Sequence, residues 1–344
     1  MKILITGGAG FIGCNAAARC IRRGDKVIVL DNLSRPGANL NLEWLKTIGP
    51  FEFIEGDIRD FALLKQLFSH QGELDSVLHL AAQVAVTTSV TDPRDDFEVN
   101  ALGTFNVLEA VRGSGLSPAI IFSSTNKVYG NLDDMPVREE ENRYVFGGDK
   151  SAVPEGQPLD FHSPYGCSKG SADQYVRDYS RIYGLKTVVM RQSCIYGSRQ
   201  FGIEDQGWVA WFIIAALTGK QITVYGDGKQ VRDILFMDDL LDSFDAAIEN
   251  IDGCAGQVFN IGGGPDNTIS LLEFLALLEE FLGRKIDYSF ADWRPGDQKI
   301  YVSDITRASR ELNWKPKVTN REGIKRLYDW VSKNKQTIER AFLE

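Results

Sequence analysis

The stretch that decides the fold is MKILITGGAGFIG, residues 1–13, and an apolar helical pattern follows it. Its first half, Lys2–Thr6, is a compact apolar run typical of a parallel strand buried on both faces. The glycines after it permit a tight turn and close approach of a pyrophosphate, which then lies on the helix N-terminus. A second apolar run, Lys26–Leu30, ends at Asp31, whose carboxylate suits the adenosine ribose hydroxyls. Because Asp31 would repel a 2′-phosphate, the sequence predicts NAD as the cofactor; Arg35 weakens this preference without reversing it.

Outward from this stretch, short apolar runs alternate with helical patterns. Such alternation predicts an α/β fold with a doubly wound parallel sheet, the Rossmann architecture. Besides the two runs above, strands are predicted at Phe51–Glu55, Ser76–Leu80, Ala119–Ser123, Thr187–Arg191 and Val258–Ile261. Helices between them are predicted at Phe11–Arg23 and Asp95–Arg112.

Helix boundaries in the second half are marked by capping residues. A long helix is predicted over Pro164–Tyr183, with Ser163 as its N-cap and Gly184 at its end. Ser270 and Glu273 have the spacing of a capping box before another apolar run.

The alternation weakens after about residue 198, which predicts two parts of different organisation. Residues 1–197 are expected to form the NAD-binding Rossmann domain, which also takes back about 235–262. Residues 198–344 are expected to form a smaller C-terminal α/β domain that binds the substrate. No repeat or flexible linker separates the two parts, so they are expected to share an interface.

Composition excludes several classes of function. The chain has 344 residues, 43% of them apolar, and a net charge of 38 − 47 = −9, which argues against nucleic acid or an anionic membrane as partner. The longest apolar run, Trp208–Leu217, is too short to span a membrane. Five irregularly spaced cysteines indicate reduced thiols and a cytoplasmic location. Only three histidines are present, far apart, so no metal site is expected.

A candidate acid/base pair lies on the long helix. Tyr165 and Lys169 are four residues apart and therefore share a face. An ammonium beside a phenol is expected to lower the phenol pKa, so that Tyr165 can take a proton from a sugar hydroxyl. Thr125 follows a strand, where ligands bind in a doubly wound sheet, and is placed to hydrogen-bond the same hydroxyl. These three residues are the predicted catalytic set.

Taken together, these motifs resemble the extended short-chain dehydrogenases/reductases that act on nucleotide sugars. The resemblance covers nearly the whole chain and includes the glycine turn, residues 79–82, and Arg232-Asp233. It implies that Tyr165 is the acid/base, that Lys169 also binds the nicotinamide ribose, and that Asp57 and Ile58 lie by the adenine. His79 is expected to be a core strand residue. The implied cofactor-binding residues are Gly7, Gly10, Phe11, Ile12, Gly13, Asp31, Asn32, Ser34, Arg35, Asp57, Ile58, Leu80, Ala81, Ala82, Asn100, Ser123, Tyr165 and Lys169.

The residues after Thr125 separate branches of this family. Its 4,6-dehydratases typically place Asp-Glu there as the acid and base for water elimination, whereas this chain has Asn126 and Lys127. Dehydration is therefore not expected, and the Glu typical of the decarboxylases is also absent. Residues 31–35, 124–130, 160–170 and 205–208 resemble the branch that inverts C2 of a CDP-hexose. A UDP-sugar 4-epimerase is the alternative, and a non-catalytic NAD-binding regulator is a further one.

The substrate's diphosphate needs cations, and the resemblance points to Arg232 and Arg294 for this role. A guanidinium fork suits phosphate oxygens. Trp208 is a candidate sugar contact, but it and Trp211 fit a core position better. The substrate-binding candidates are Gln83, Asn126, Ser193, Arg199, Gln206, Trp208, Tyr225, Arg232 and Arg294. Members of the family are often dimers through a helical bundle, so a homo-oligomer is expected.

Overall fold

Strands and helices alternate along the first half of the chain in the computed structural model, which describes residues 1–70, 72–148, 150–294 and 296–342. The strands are β1 (Lys2–Thr6), β2 (Lys26–Asp31), β3 (Glu52–Glu55), β4 (Ser76–His79), β5 (Ala119–Thr125), β6 (Val137–Glu139), β7 (Tyr144–Phe146), β8 (Thr187–Gln192), β9 (Cys194–Tyr196), β10 (Ile222–Tyr225), β11 (Val231–Phe236), β12 (Gln257–Ile261), β13 (Thr268–Ser270), β14 (Tyr288–Ala291) and β15 (Ile300–Tyr301). The helices are α1 (Phe11–Arg23), α2 (Ala38–Lys46), α3 (Phe61–His70), α4 (Val86–Thr91), α5 (Pro93–Phe97), α6 (Gly103–Ser114), α7 (Ser163–Tyr183), α8 (Trp208–Thr218), α9 (Met237–Glu249), α10 (Ile251–Cys254), α11 (Leu271–Leu282), α12 (Thr306–Glu311), α13 (Asn320–Lys333) and α14 (Lys335–Ala341).

The main sheet of the described residues has seven parallel strands in the order β12-β8-β5-β4-β1-β2-β3. The chain moves outward from β1 in one direction to β2 and β3, and then in the other direction through β4, β5, β8 and β12. The order therefore reverses beside β1, and ligands of such sheets bind outside the carboxyl ends of the strands at this point. The predicted doubly wound α/β fold is confirmed.

Burial on both faces of the sheet explains why the strands are uninterrupted apolar runs. Ile3 and Ile5 point to one face and pack with α1 and α9. Leu4, between them, points to the other face and packs with α3, α6 and α7. Side chains alternate between the two faces along a strand. Because helices cover both faces, every residue of β1 from Ile3 to Thr6 is buried.

The prediction of one continuous helix over Asp95–Arg112 is wrong. Helix α5 ends at Phe97, a π-helical turn occupies Glu98–Leu102, and α6 then begins at Gly103. The π-helical turn contains Asn100, whose buried side chain hydrogen-bonds with residues outside its own helix. Single π turns of this kind are common at functional sites.

The capping predictions describe the helix ends well. Helix α7 begins at Ser163, one residue before the predicted start, and the Ser163 hydroxyl still accepts a hydrogen bond of 3.2 Å from the Gly166 N–H, as an N-cap does. Helix α7 ends before Gly184, which has a φ of 71°. At α11 the capping box is confirmed, because Glu273 N–H donates to the Ser270 hydroxyl and Ser270 N–H donates to the Glu273 carboxylate.

The second half of the chain packs around a separate apolar cluster. Strands β9, β11, β13 and β15 form a small mixed sheet, and β10 pairs with β14. Helices α8, α11, α13 and α14 contribute the buried side chains of this cluster. Strand β12 returns to the main sheet beside β8. The domain boundaries given above stay predictions.

Candidate active site

The glycine turn after β1 leaves no room for a side chain at Gly7 or Gly13. Gly7 has a φ of 69°, and a Cβ there would lie 2.7 Å from the Ala81 nitrogen. A Cβ at Gly13 would lie 2.1 Å from the Gly7 carbonyl oxygen. The turn therefore packs backbone against backbone, and it leaves the N-terminus of α1 open toward the carboxyl edge of the sheet.

A cleft of about 420 Å³ lies outside this turn. It runs between the ends of β1, β2 and β4 and the segment that follows β9. Most of the predicted cofactor-binding residues line it: Gly7, Gly10, Phe11, Ile12, Gly13, Asp31, Asn32, Ser34, Arg35, Asp57, Ile58, Leu80, Ala81 and Ala82. The structure thus brings together residues that lie up to 75 positions apart in the chain, from Gly7 to Ala82. Their individual roles stay predictions.

Asp31 is buried at the carboxyl end of β2, at the wall of this cleft. Its carboxylate accepts hydrogen bonds from the Ala9 N–H at 2.9 Å and the Leu33 N–H at 2.8 Å. Burial raises the pKa of Asp31, and the backbone hydrogen bonds oppose that rise. The carboxylate is therefore fixed in position by the glycine turn itself.

Asp57 forms a second carboxylate position on the cleft wall. Burial raises its pKa, but hydrogen bonds from Arg59 and Asn32 outweigh this and bring the pKa down to about 2. Asn32 donates to Asp57 at 2.8 Å, and Arg59 pairs with Asp57 at 2.7 Å.

These features fit a dinucleotide. A side chain at Gly7 or Gly13 would fill the space that the tight turn needs, and the open helix N-terminus suits a pyrophosphate. The held carboxylate of Asp31 suits ribose hydroxyls and disfavours a 2′-phosphate.

Asn100 and Ser123, two further predicted cofactor-binding residues, are not among the residues that line the cleft. Asn100 is buried behind the cleft wall, where its amide contacts Gln83, Asp96 and Ser168. In this position Asn100 links Gln83, Asp96 and Ser168 by hydrogen bonds and does not face the cleft. Ser123 lies at the end of β5, and its carbonyl oxygen accepts a hydrogen bond from Lys169.

The predicted catalytic residues Thr125, Tyr165 and Lys169 are buried together at the junction of β5 and α7. Helix α7 places Tyr165 and Lys169 one turn apart, and β5 ends at Thr125 beside them. The Tyr165 N–H donates to the Ser89 hydroxyl at 3.1 Å, which fixes the start of the helix. The Lys169 ammonium donates to the Ser123 carbonyl at 2.6 Å.

The expectation that Lys169 lowers the pKa of Tyr165 is wrong for this structure. Burial raises the pKa of Tyr165 to about 12, and only the hydrogen bond with Thr125 opposes the rise. Burial likewise lowers the pKa of Lys169 to about 7. The Lys169 ammonium is directed to the Ser123 carbonyl and lies 4.3 Å from the centre of the Phe122 ring. Desolvation therefore favours the neutral form of both groups.

Asp96 is a buried carboxylate near this site that sequence reasoning missed. It accepts hydrogen bonds from the Ser168 hydroxyl at 2.5 Å and from Gln83 at 3.0 Å. Its charge raises the pKa of both Tyr165 and Lys169. The signal available was its spacing of four residues from Asn100 in a polar helical segment.

A buried ion pair, also missed, holds α7 against the sheet. The Arg191 guanidinium on β8 binds both carboxylate oxygens of Asp173 at 2.9 Å. The Ser124 hydroxyl donates to the same carboxylate at 2.7 Å. Asp173 lies four residues after Lys169, so the pair fixes the helix face that carries the acid/base candidates.

The two arginines predicted for the diphosphate lie on the second half of the chain. Arg232 is buried and donates to the Asp297 carboxylate at 2.6 Å and to the Gln298 carbonyl at 2.7 Å. Arg294 pairs with Asp205 at 3.0 Å and lies 3.8 Å from the centre of the Tyr225 ring. Tyr225 and Arg294 therefore form one predicted substrate surface.

Three other substrate candidates lie on the cofactor cleft. Arg199, Gln206 and Gln83 line the same cleft as the glycine turn, and Gln206 accepts a hydrogen bond from Arg35. The Arg199 guanidinium lies 4.3 Å from the centre of the Trp44 ring. Their position favours contact with the cofactor over contact with the sugar.

The remaining substrate candidates are mostly engaged within the protein. The Ser193 hydroxyl donates to the buried Asp233 carboxylate at 2.5 Å. Trp208 lies edge-on to Phe274 at 5.1 Å in the second apolar cluster, and Trp211 is buried there too. Both tryptophans thus occupy core positions. Asn126 is buried directly after Thr125.

His79 also lies in the core. It contacts the hydroxyls of Thr6 at 2.7 Å and Thr104 at 3.0 Å, and burial lowers its pKa to about 3. Across residues 1–70, 72–148, 150–294 and 296–342, no group of three or more His, Cys, Asp or Glu side chains could hold a metal ion. Within the same ranges, no helix has both the length and the apolar character that crossing a membrane requires.

Comparisons with known proteins identify the family of the chain. The family model described as GDP-mannose 4,6 dehydratase matches residues 4–327. The chain is 47% identical to the CDP-paratose 2-epimerase of Salmonella typhi over 96% of this chain and 99% of the relative. Among solved structures, UDP-glucose 4-epimerase from Thermotoga maritima with UDP-glucose is 34% identical with a TM-score of 0.83, covering 97% and 99% of the two chains. UDP-glucuronic acid 4-epimerase from Bacillus cereus, in complex with UDP-glucuronic acid and NAD, is 31% identical with a TM-score of 0.83 and the same coverage.

A Rossmann sheet with this cleft and this Thr-Tyr-Lys site defines an NAD-dependent enzyme of the short-chain dehydrogenase/reductase class. The chain belongs to the extended branch of that family, whose members are epimerases and dehydratases of nucleotide sugars. The sequence predictions of the family, of NAD as cofactor and of a nucleotide-sugar epimerase as the class of enzyme are confirmed.

Proposed function

We propose that this enzyme inverts C2 of a CDP-hexose, such as CDP-paratose or its C2 epimer CDP-tyvelose, through a transient 2-keto sugar. The observation that carries the proposal is the 47% identity, over essentially the whole of both chains, to a CDP-paratose 2-epimerase. The site supports it, because Thr125, Tyr165 and Lys169 lie together while Asn126 and Lys127 follow Thr125. Neither Asn126 nor Lys127 has a carboxylate, so the two residues cannot supply the acid and base that water elimination needs.

The roles of the chain's own residues follow from their positions. Bound NAD supplies a hydride acceptor and donor, and its oxidised nicotinamide ring is positively charged. A positive charge in this buried site would offset the desolvation that raises the Tyr165 pKa and would favour the phenolate. Tyr165 then takes the proton of the C2 hydroxyl as the C2–H bond breaks, and Thr125 orients that hydroxyl.

Inversion requires the hydride to be returned to the other face of C2 and the proton to be returned to the C2 oxygen. The 2-keto sugar turns within the site, C2 receives the hydride on its opposite face, and the Tyr165 phenol gives its proton back to the oxygen. No atom is lost or gained. Lys169 is held by the Ser123 carbonyl beside this site, where it is suited to the nicotinamide ribose.

Inversion at C4 of a UDP-sugar is the second candidate, because two 4-epimerase structures share this fold at 31–34% identity. A panel of CDP-, UDP- and GDP-hexoses with products identified by NMR separates the two. A CDP-hexose deuterated at C2 should react more slowly where hydride transfer limits the rate, and the label should stay on C2 of the epimer. A C4-inverted product, or loss of the label to water, would overturn the proposal. Binding without any product would favour the non-catalytic regulator.

We also propose that the enzyme is a homo-oligomer. Apolar side chains on α7 are exposed, with Ile182 at 65% and Tyr183 at 51%, and Phe97 lies exposed on neighbouring α5. Such a surface on a folded chain suits a second copy. Light scattering after size-exclusion chromatography should give a multiple of the chain mass; a monomer would refute the proposal.

A cytoplasmic location is part of the same proposal. The five cysteines are unpaired in the described residues, as suits a reducing compartment. Cell fractionation that recovers the protein outside the cytoplasm would contradict it.

A further inference from the structure

Lys127 joins the segment after Thr125 to a loop of the second half of the chain. It lies in the 3₁₀ turn Asn126–Tyr129, and its N–H donates to the Thr125 hydroxyl at 3.2 Å. Its ammonium donates to the Gly296 carbonyl at 3.2 Å and lies 4.0 Å from the Asp297 carboxylate. Arg232 reaches the same carboxylate from β11 at 2.6 Å.

Two cations therefore share one carboxylate. Asp297 carries one negative charge, whereas Lys127 and Arg232 carry two positive charges when protonated. Both side chains are largely removed from water, with 23% of the Lys127 side chain and 9% of the Arg232 side chain exposed. Burial and the neighbouring Arg232 lower the pKa of Lys127. A further negative group would relieve this unbalanced pair, and a substrate diphosphate is such a group.

The loop is tied to the turn at a second point, which fixes the distance between the two cations. The Gln298 side-chain amide donates to the Gly130 carbonyl at the end of the turn, and Arg232 donates to the Gln298 carbonyl. The backbone of Lys127 is thus tied to Thr125, and its ammonium is held at the carboxylate that the predicted diphosphate arginine also binds.

This position bears on which carbon reacts. In a nucleotide sugar the second phosphate is bonded through oxygen to C1 of the hexose. C2 is bonded directly to C1, whereas C4 lies across the ring. To present C2 at Tyr165, the sugar-bearing phosphate must lie closer to the acid/base residues than it would for reaction at C4. A cation two residues after Thr125 is placed to hold a phosphate there.

We propose that Lys127 binds the sugar-bearing phosphate of the substrate and thereby directs C2, rather than C4, to the acid/base site. The inference rests on the proposed CDP-hexose 2-epimerase function. It makes Lys127 a residue that determines which carbon reacts, in a position where the dehydratases carry a carboxylate.

Titration calorimetry with nucleotides tests the inference without relying on turnover. Lys127→Met should weaken CDP binding by about 10- to 100-fold, the loss typical of one charge-assisted hydrogen bond in a buried site. CMP lacks the second phosphate, so its affinity should change little. Lys127→Arg keeps the positive charge and should restore most of the CDP affinity. Lys299→Met is the matched control, because Lys299 is exposed and stacks on Tyr144 at 5.1 Å.

The outcomes separate the inference from the function on which it rests. If the wild-type protein binds no nucleoside diphosphate, the proposed function fails. If the wild-type protein binds CDP and Lys127→Met binds it equally well, or loses CMP affinity to the same extent, the inference alone fails. Retained NAD and an unchanged melting temperature in Lys127→Met would show that the variant is folded. Should that variant not fold, Lys127→Gln is tested in the same way, and equal CDP binding by it overturns the inference.

Discussion

Replacing Lys169 by methionine should stabilise the cofactor-free protein at neutral pH, although it removes a predicted catalytic residue. The Lys169 side chain lies in the core of the site with only 3% of the residue exposed. Its ammonium donates a hydrogen bond to the Ser123 carbonyl and lies over the Phe122 ring. Asp173 and Asp96 favour its charge from a distance, but they do not outweigh burial. Methionine has a similar length and no charge to bury.

The size of the effect follows from the pKa of Lys169. Burial lowers that pKa from 10.5 to about 7, which corresponds to at most about 5 kcal/mol of unfolding free energy. The Ser123 carbonyl loses its donor in the variant, and an unsatisfied buried carbonyl costs about 1–3 kcal/mol. The net expectation is a gain of at most about 2–4 kcal/mol near neutral pH.

The direction in which stability changes with pH depends on whether the folded or the unfolded chain binds more protons at Lys169. Between the folded pKa of about 7 and the unfolded pKa of 10.5, the unfolded wild-type chain binds more protons at Lys169 than the folded chain does. Wild-type stability from this group therefore rises with pH over that window. The advantage of Lys169→Met should be fully present below about pH 7 and should shrink as the pH rises from about 7 toward 10.5.

Urea unfolding of the NAD-free protein at about pH 7.5 and about pH 9.5 measures this difference. The control is Lys186→Met, since 41% of the Lys186 side chain is exposed and its ammonium pairs with Asp252 at 2.7 Å. That variant should show no gain at either pH. A Lys169→Met protein that is less stable than wild type near neutral pH, or whose advantage is the same at both pH values, would refute the reasoning.

Two further predictions concern the acid/base and the cofactor. Tyr165→Phe removes the proton carrier and keeps the buried ring, so turnover should fall by ~10²–10⁴ while CDP affinity is retained; near-normal turnover would exclude Tyr165 from the chemistry. Asp31→Ala removes the carboxylate that the Ala9 and Leu33 N–H groups hold, so NAD affinity should fall by about 10–100-fold, measured by fluorescence titration. NAD bound as tightly as in wild type, or NADP preferred by wild type, would contradict the assignment of Asp31.

Most of the fold could be predicted because its determinants are local. Strand β1 and helix α1 have the predicted boundaries, since an apolar run buried on both faces and a glycine turn leave few alternatives. The π turn at Glu98–Leu102 could not be predicted in this way. It depends on Asn100 meeting Gln83 and Ser168, and these contacts are made between residues far apart in the sequence.

The residues that line the cofactor cleft belong largely to local motifs after β1 and β2, so their grouping could be predicted from the sequence. The positions of the substrate-binding candidates were harder to predict. Arg199 and Gln206 follow β9, and their position in the chain does not reveal which cleft they reach. The structure shows that this segment folds back over α1, where Asn15 donates to the Ser198 carbonyl at 3.0 Å. Phe201 packs against Gly37, where a Cβ would lie 2.2 Å from its ring. Side chains of the segment therefore face the cofactor cleft.

The pair Tyr165 and Lys169 shows where spacing stops being informative. A separation of four residues correctly places both side chains on one face of α7, but it does not give the charge of either group. Two effects compete: the attraction between an ammonium and a phenolate, and the loss of water around both. Here the second prevails, because the Lys169 ammonium is held by the Ser123 carbonyl and both residues are buried. Burial of both groups thus favours the neutral phenol of Tyr165 in this structure.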